Sequence, residues 1–233
     1  MPELTRAFAD LSTAILNDAA ARLGVPYHVA PPGLRPLRAD DRVAGPALPV
    51  RHFGRVEVFL EALAGAAPGD VMVIDNGGRL AEGCIGDLVA IEAQGAGIAG
   101  IVLWGAYRDS TELEALGLPV FAYGAFPRGP VDARPTEGDV LDAAHLGDGL
   151  VTRSHVVFAD GDGAVFVPRD RLEAVLEAAR AIRARERRQA AAVRRGTSLR
   201  EQFRLDDYLA RRARDPEYSF TQHVKDLDGA IGE

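Results

Sequence analysis

Apolar and polar positions alternate along this chain with two different periods, and the changes of period mark out the elements. VMVID (71–75), IAGIVLWG (98–105) and LPVFAYG (118–124) are short, nearly continuous apolar runs bounded by Gly, Pro or Asp. Runs of that length read as strands buried on both faces. Between them lie DLVAIEAQGAG (87–97) and DSTELEALG (109–117), which carry helical spacing. Strand, helix and strand in this order form a βαβ unit, and the unit repeats once. Parallel strands with right-handed crossovers are therefore expected. NGGRLAEGCIG (76–86), between the first strand and its helix, is expected to be a glycine-punctuated loop.

The flanking segments are less regular. A helix is predicted over AILNDAAARLG, with Ser12 or Thr13 as N-cap, Gly24 just past its end and Pro26 closing it. Residues 30–49 read as loop with one or two short strands. A second helix is expected over 56–66, ended by Pro68-Gly69. Residues 125–154 are rich in Gly, Pro and Asp, and read as loop with short strands. VVFAD (156–160) and AVFVP (164–168) flank a Gly-Asp-Gly turn and predict a β-hairpin. A long helix is expected from about 169 to 195. A break at Gly196-Thr197-Ser198 and a shorter helix over 199–213 follow, and residues from 215 onward read as a tail. This gives an α/β domain over 1–168 and a helical extension over 169–233.

Composition narrows the chemistry. Of 27 basic residues only one is lysine, Lys225. A P-loop needs a lysine on its phosphates and a Schiff-base enzyme needs a lysine amine, so neither is expected. The net charge of −7 does not favour nucleic acid or anionic membrane as partners. Fourteen basic residues lie between Arg169 and Arg214, but Glu173, Glu177, Glu186, Glu201, Asp206 and Asp207 interleave with them. That pattern reads as a salt-bridged helix packing on a neighbouring subunit rather than an RNA footprint. A single cysteine, Cys84, excludes an internal disulfide. No apolar run is long enough to span a membrane and no secretory pattern opens the sequence, so the cytoplasm is the expected compartment.

The candidate site lies at the carboxyl ends of the parallel strands, where ligands bind in open α/β sheets. Gly86-Asp87 opens a helix whose first amides, those of Leu88 and Val89, are expected to be unpaired and suited to an anion. The next strand ends in Arg108-Asp109. Two carboxylates without His or Cys suit a hard cation such as Mg²⁺ or Mn²⁺, and the guanidinium suits a carboxylate or a developing oxyanion. The same residues could equally be a helix N-cap, a surface ion pair and turn glycines.

Asp87, twenty intervening residues and then Arg108-Asp109 resemble the D-x20-R-D signature of class II pyruvate aldolases. These are the 4-hydroxy-4-methyl-2-oxoglutarate / 4-carboxy-4-hydroxy-2-oxoadipate aldolases, which share the fold of the regulator of ribonuclease activity A (RraA). STAILNDA (12–19), RVAGPALPV (42–50), GDVMVID (69–75), GIAGIVLWGAYRD (97–109), LGLPVFAYG (116–124) and FADGDGAVFVP (158–168) are similar to further segments of that family in the same order. The resemblance implies an RraA-like swivelling β/β/α sandwich with a parallel βαβ core. It implies a divalent-metal-dependent lyase that cleaves a 4-hydroxy-2-oxo acid to pyruvate through an enolate, with oxaloacetate decarboxylation as a side activity. Asp109 would be the direct metal ligand, and Asp87 would hold metal-bound water. Arg108 would bind the pyruvate moiety, and the amides at Gly86, Leu88 and Val89 its carboxylate. Asp18 matches an acidic position that reaches a neighbouring subunit's site in trimers or hexamers. An enolate-forming lyase needs an imine or a metal as electron sink, and the absence of a suitable lysine agrees with the metal route.

The chain departs from the family pattern at Trp104, at Tyr107, in the loop GAFPRGPVDARPTEG and at Val151–His155. Arg128 and Arg134 in that loop are candidates for a distal carboxylate, or are solvated loop arginines. Cys84 reads as a small packing residue. The histidines at 28, 52, 145, 155 and 223 show no metal-ligand spacing, and His155 stands out by its place next to the final hairpin. Two other functions compete. One is a non-catalytic RraA-like regulator acting through protein–protein contacts, against which the retained Asp87 and Asp109 speak. The other is a methyltransferase, for which DNGGRLAEG is a poor cofactor loop.

Overall fold

The computed structural model describes residues 3–131 and 140–231. They form two compact units, Met1–Arg180 and Ala181–Glu233, so the division falls inside a helix rather than at the hairpin's end.

The first unit opens with α1 (Glu3–Ala9) and α2 (Thr13–Arg22), followed by β1 (His28–Val29), β2 (Arg35–Pro36) and β3 (Val43–Arg51). Then come α3 (Glu57–Ala64), β4 (Val71–Ile85), α4 (Asp87–Gly95), β5 (Gly100–Tyr107), α5 (Ser110–Leu116) and β6 (Val120–Ala122). Two hairpins close it, β7 (Ala143–Leu146) with β8 (Gly149–Thr152) and β9 (His155–Asp160) with β10 (Gly163–Pro168), before α6 (Leu172–Arg194). The main sheet has the order β1-β10-β9-β3-β4-β5-β6-β2. Strands β3 to β6 are parallel, as the repeated βαβ pattern requires.

Both faces of the parallel strands are covered. Met72, Ile74, Ile101 and Leu103 pack with Phe59, Ala90 and Leu113 of the three helices. The alternate residues Val71, Val73 and Val102 pack with Ala144, Leu146 and Val151 of the β7–β8 hairpin and with Val157 and Phe166. Strand β3 joins the two halves of the sheet. Its first residues, Val43–Pro46, pair antiparallel with β9, and Ala47–Arg51 pair parallel with β4. At the changeover a Cβ on Gly45 would stand 2.2 Å from the Gly69 carbonyl oxygen, so no larger residue fits.

Helix caps follow the sequence. Ser12 Oγ accepts from the Ile15 amide at 3.3 Å, and Gly24 takes φ 62° beyond α2. Other expectations are corrected. Residues 76–85 are not a loop but the continuation of β4. Between Asp75 and Ile85, β4 advances ten residues while β5 advances three, from Trp104 to Tyr107, with register shifts between the rungs. The excess arches outward, turned by Gly77 and Gly78 at φ 62° and 67°. Alternation is lost there because the bulges break it.

In the second unit the predicted helix over 199–213 is two helices, α7 (Leu199–Gln202) and α8 (Leu205–Arg214), divided at Arg204 with φ 44°. Ser198 and Glu201 form a reciprocal capping box at the start of α7. The expected tail is also corrected. It folds as α9 (Phe220–Ile231), because Tyr218, Phe220 and His223 have the aromatic side chain of Tyr208 to pack against. Among the described residues, no helix is long and apolar enough to cross a membrane.

Candidate functional site

Parallel pairing brings Ile85 opposite Tyr107, and the Arg108 amide donates to the Ile85 carbonyl at 2.9 Å. The two residues that follow each strand, Gly86-Asp87 and Arg108-Asp109, therefore meet at one carboxyl-end mouth. The Asp87 amide lies 3.4 Å from Asp109 Oδ2, and Arg108 Nε lies 3.5 Å from the same oxygen. Gly86 is what permits this approach, since a Cβ there would stand 2.1 Å from Asp109 Oδ2.

Asp109 adopts φ 61°, ψ 47°, a left-handed conformation for a residue with a Cβ. It stands at the N-cap position of α5 yet makes no side-chain cap bond. An aspartate in this region costs backbone energy that local capping does not return, a pattern found at functional positions. Its carboxylate is held out to the mouth, with a side-chain exposure of 36% against 47% for Arg108.

Arg108 is framed by the segment after β6. A Cβ on Gly129 would lie 2.8 Å from Arg108 Nη1, and one on Gly83 would lie 2.9 Å from Arg108 Cβ. The Gly83 amide donates to the Arg128 carbonyl at 2.8 Å. The atypical loop thus borders Arg108 through its backbone, while the Arg128 side chain is exposed. Arg134 lies outside the described residues. Burial pushes the Tyr107 phenol above its ordinary value, against a lowering hydrogen bond with Ser110.

One feature of the mouth differs from expectation. The Leu88 amide is not unpaired, because it donates to Asp87 Oδ1 at 2.8 Å. Asp87, the first residue of α4, thus occupies the amide of its own neighbour, and an incoming carboxylate would have to displace it. Asp18 is exposed on α2, which packs against β9 and β10 on the other half of the sheet. Within one chain it does not join Asp87, Arg108 and Asp109.

The family model described as RraA-like, Aldolase/RraA, matches residues 13–166, which contain every residue of this mouth. The chain belongs to the RraA-like family. A Halalkalibacterium halodurans protein named "Putative 4-hydroxy-4-methyl-2-oxoglutarate aldolase" is 32% identical over 148 residues, 63% of this chain and 70% of that protein. Protein DlpA of Legionella pneumophila is 28% identical over 213 residues, 88% of this chain but 34% of its own length. Among solved structures, Streptomyces coelicolor RraAS2 is described as an unusual member of the RNase ES inhibitor RraA protein family. It matches with a TM-score of 0.67 at 26% identity, over 83% of this chain and 98% of that one.

This RraA-like chain also holds a polar cluster that sequence reading passed over. His52, which follows β3, is buried and stacks on Phe59 with centroids 5.0 Å apart. Its Nδ1 lies 2.8 Å from Asn76 Oδ1 and 3.2 Å from Cys84 Sγ. Cys84 packs in the core as expected, and its Sγ also stands beside the His52 ring. Arg79 binds the His52 carbonyl at 3.0 Å, Asn76 Oδ1, and Glu82 at 2.8 Å. The available signal was positional, because His52 directly follows β3 while Asn76, Arg79, Glu82 and Cys84 fall in the bulged stretch of β4 beyond Asp75.

Proposed function

We propose that this protein is a divalent-metal-dependent lyase that cleaves a 4-hydroxy-2-oxo acid to pyruvate and also decarboxylates oxaloacetate. The observation that carries this reading is the left-handed Asp109, whose carboxylate is presented beside Arg108 and the Gly86-Asp87 turn rather than spent on a helix cap. The aldolase name of the Halalkalibacterium relative supports it.

The donor set fits Mg²⁺ or Mn²⁺. Both prefer oxygen ligands, and Mg²⁺ is commonly held by one or two carboxylates together with water and substrate oxygens. Asp109 would hold the cation directly and Asp87 through water. When bound, the cation supplies Lewis-acid stabilisation for the 2-oxo group. The protein's own residues do the rest. The Arg108 guanidinium pairs with the pyruvate part of the substrate and stabilises negative charge on its oxygen as the C3–C4 bond breaks. The amides at the start of α4 receive the carboxylate once Asp87 turns away from the Leu88 N–H. Through a water, Asp87 accepts the proton that leaves the 4-hydroxyl as that oxygen becomes a carbonyl, and return of the proton to C3 of the enolate releases pyruvate. In a trimer or hexamer, Asp18 would reach the mouth of a neighbouring subunit.

The test is pyruvate release, coupled to lactate dehydrogenase, on oxaloacetate and a series of 4-hydroxy-2-oxo acids. Turnover should require Mg²⁺ or Mn²⁺ and vanish with chelator, and Arg108→Ala should lower it by on the order of 10²–10³. Absence of metal-dependent turnover on every substrate would sink the lyase reading. The likeness to RraAS2 supports a second reading, a regulator acting by protein contact. Inhibition of an RNase E-type enzyme by a turnover-dead protein would favour it.

A further inference from the structure

A cavity of about 290 Å³ opens on the face of the sheet covered by the β7–β8 hairpin, and none of its lining residues belongs to the Asp87, Arg108, Asp109 mouth. Its walls include Arg51, Phe53, Asp75, Arg79, Trp104 and His145. Asp75 organises it. Its Oδ1 accepts from the Gly77 amide at 2.8 Å and its Oδ2 from the His145 amide at 3.1 Å. Oδ2 also lies 3.4 Å from Arg51 Nε, and that buried nitrogen has an ion-pair partner but no hydrogen bond. The carboxylate therefore steadies Arg51 from its shank side. The outer nitrogens Nη1 and Nη2 make no hydrogen bond to any described residue. The same guanidinium lies 5.3 Å from the centroid of the Phe53 ring.

A steadied guanidinium with two parallel donors recognises a planar carboxylate in bidentate fashion. Arg51 lines this space together with the Trp104 indole and the Phe53 ring, which favour a flat unsaturated body over a tetrahedral ion. Arg79 is not a competing anchor, since Glu82, Asn76 and the His52 carbonyl already hold it. The volume sits at the small end of ligand cavities, where pockets begin near roughly 300 Å³. We propose that this cavity binds a small carboxylic acid with an aromatic or conjugated body, at a site separate from the one at Asp109.

The protein has one tryptophan, Trp104 in the cavity wall, so its emission reports this site alone. Full-length protein is titrated with benzoate, cyclohexanecarboxylate and inorganic phosphate. Benzoate should give a saturable change, cyclohexanecarboxylate should bind about tenfold more weakly, and phosphate should give none. Arg51→Met should weaken benzoate by at least about tenfold, and Arg51→Lys should recover part of that loss. Asp109→Ala should leave benzoate binding unchanged, which separates this proposal from the lyase reading. Phe53 follows β3, so Phe53→Ala serves if Arg51→Met does not fold, and it should also weaken benzoate. No saturable response to benzoate overturns the proposal. So does wild-type affinity in folded Arg51→Met or Phe53→Ala, or a phosphate response equal to that of benzoate.

Discussion

Asp160 and Asp109 are both partly or wholly shielded aspartates that follow or end a strand, yet their surroundings are opposite. Asp160, at the end of β9, is buried and fully engaged. It accepts from the Thr13 amide at 2.9 Å, the Thr13 hydroxyl at 2.6 Å and the Asp162 amide at 3.1 Å, with Arg42 at 4.0 Å. These bonds tie the first turn of α2 to the β9–β10 hairpin. Asp109 has only long contacts, at 3.4 and 3.5 Å, and a strained backbone. One carboxylate has its accepting capacity filled by the fold. The other keeps that capacity for something else, and local geometry is bent to present it. The contrast separates a structural carboxylate from a functional candidate without reference to either residue's exposure alone.

Crossed substitutions break or sharpen this contrast. Asp109→Asn keeps the shape and tolerates a left-handed backbone, but removes the charge. Metal-dependent turnover should fall by on the order of 10³, about 4 kcal/mol in the barrier, while the urea midpoint stays near that of the wild type. Asp160→Ala should do the reverse. Two buried Thr13 donors lose their acceptor, which costs about 3 kcal/mol of stability in urea melts, while turnover per folded molecule is kept. If Asp160→Ala leaves stability untouched, or Asp109→Asn unfolds the protein, the division of roles is wrong.

Gly86 tests the same mouth more gently. The Cβ of Gly86→Ala would collide with Asp109 Oδ2 at 2.1 Å. The carboxylate at the far end of that contact can swing aside, so the fold should survive. The displaced ligand should weaken the apparent Mn²⁺ affinity by about tenfold, read by calorimetry. Unchanged Mn²⁺ affinity in a folded Gly86→Ala would show that Asp109 is not held where the cation binds.

Legibility divided along a similar line. The apolar runs, the caps at Ser12 and Gly24 and the order of the βαβ units were written in local sequence, because each depends on neighbours a few residues away. The pairing of Asp87 with Asp109 was approachable through spacing, since parallel strands of the predicted length bring their ends together. The left-handed turn at Asp109 was not, because nothing in AYRDS distinguishes it from an ordinary helix start. Nor was the long reach of β4, whose bulges hide alternation, nor the split pairing of β3, which depends on β9 more than a hundred residues away. The helix α9 was legible and passed over. Phe220, Val224 and Leu227 have helical spacing, and the Gln222 amide donates to Ser219 Oγ at 3.2 Å as an N-cap.

The smallest effect expected extends the contrast to pH. His155 opens β9 on the structural half of the sheet. Its Nδ1 accepts from the Thr152 amide at 3.2 Å, and its ring lies 5.7 Å from that of His28. Partial burial holds its pKa below the ordinary histidine value of 6.5, and a charge on His28 pushes the same way. The folded protein therefore disfavours the protonated ring more than the unfolded chain does. The unfolded state binds the extra proton, so stability from this residue is complete above the unfolded value and drains away as pH falls through the lower folded one. Thermal melts from about pH 7.5 down to about pH 5 should show a steeper loss in wild type than in His155→Gln. Metal-dependent turnover of His155→Gln should stay unchanged, because the ring is on the hairpin side. A ring that titrates at or above 6.5 by NMR, or equal slopes for the two proteins, would remove His155 from the acid-sensitive part of the fold.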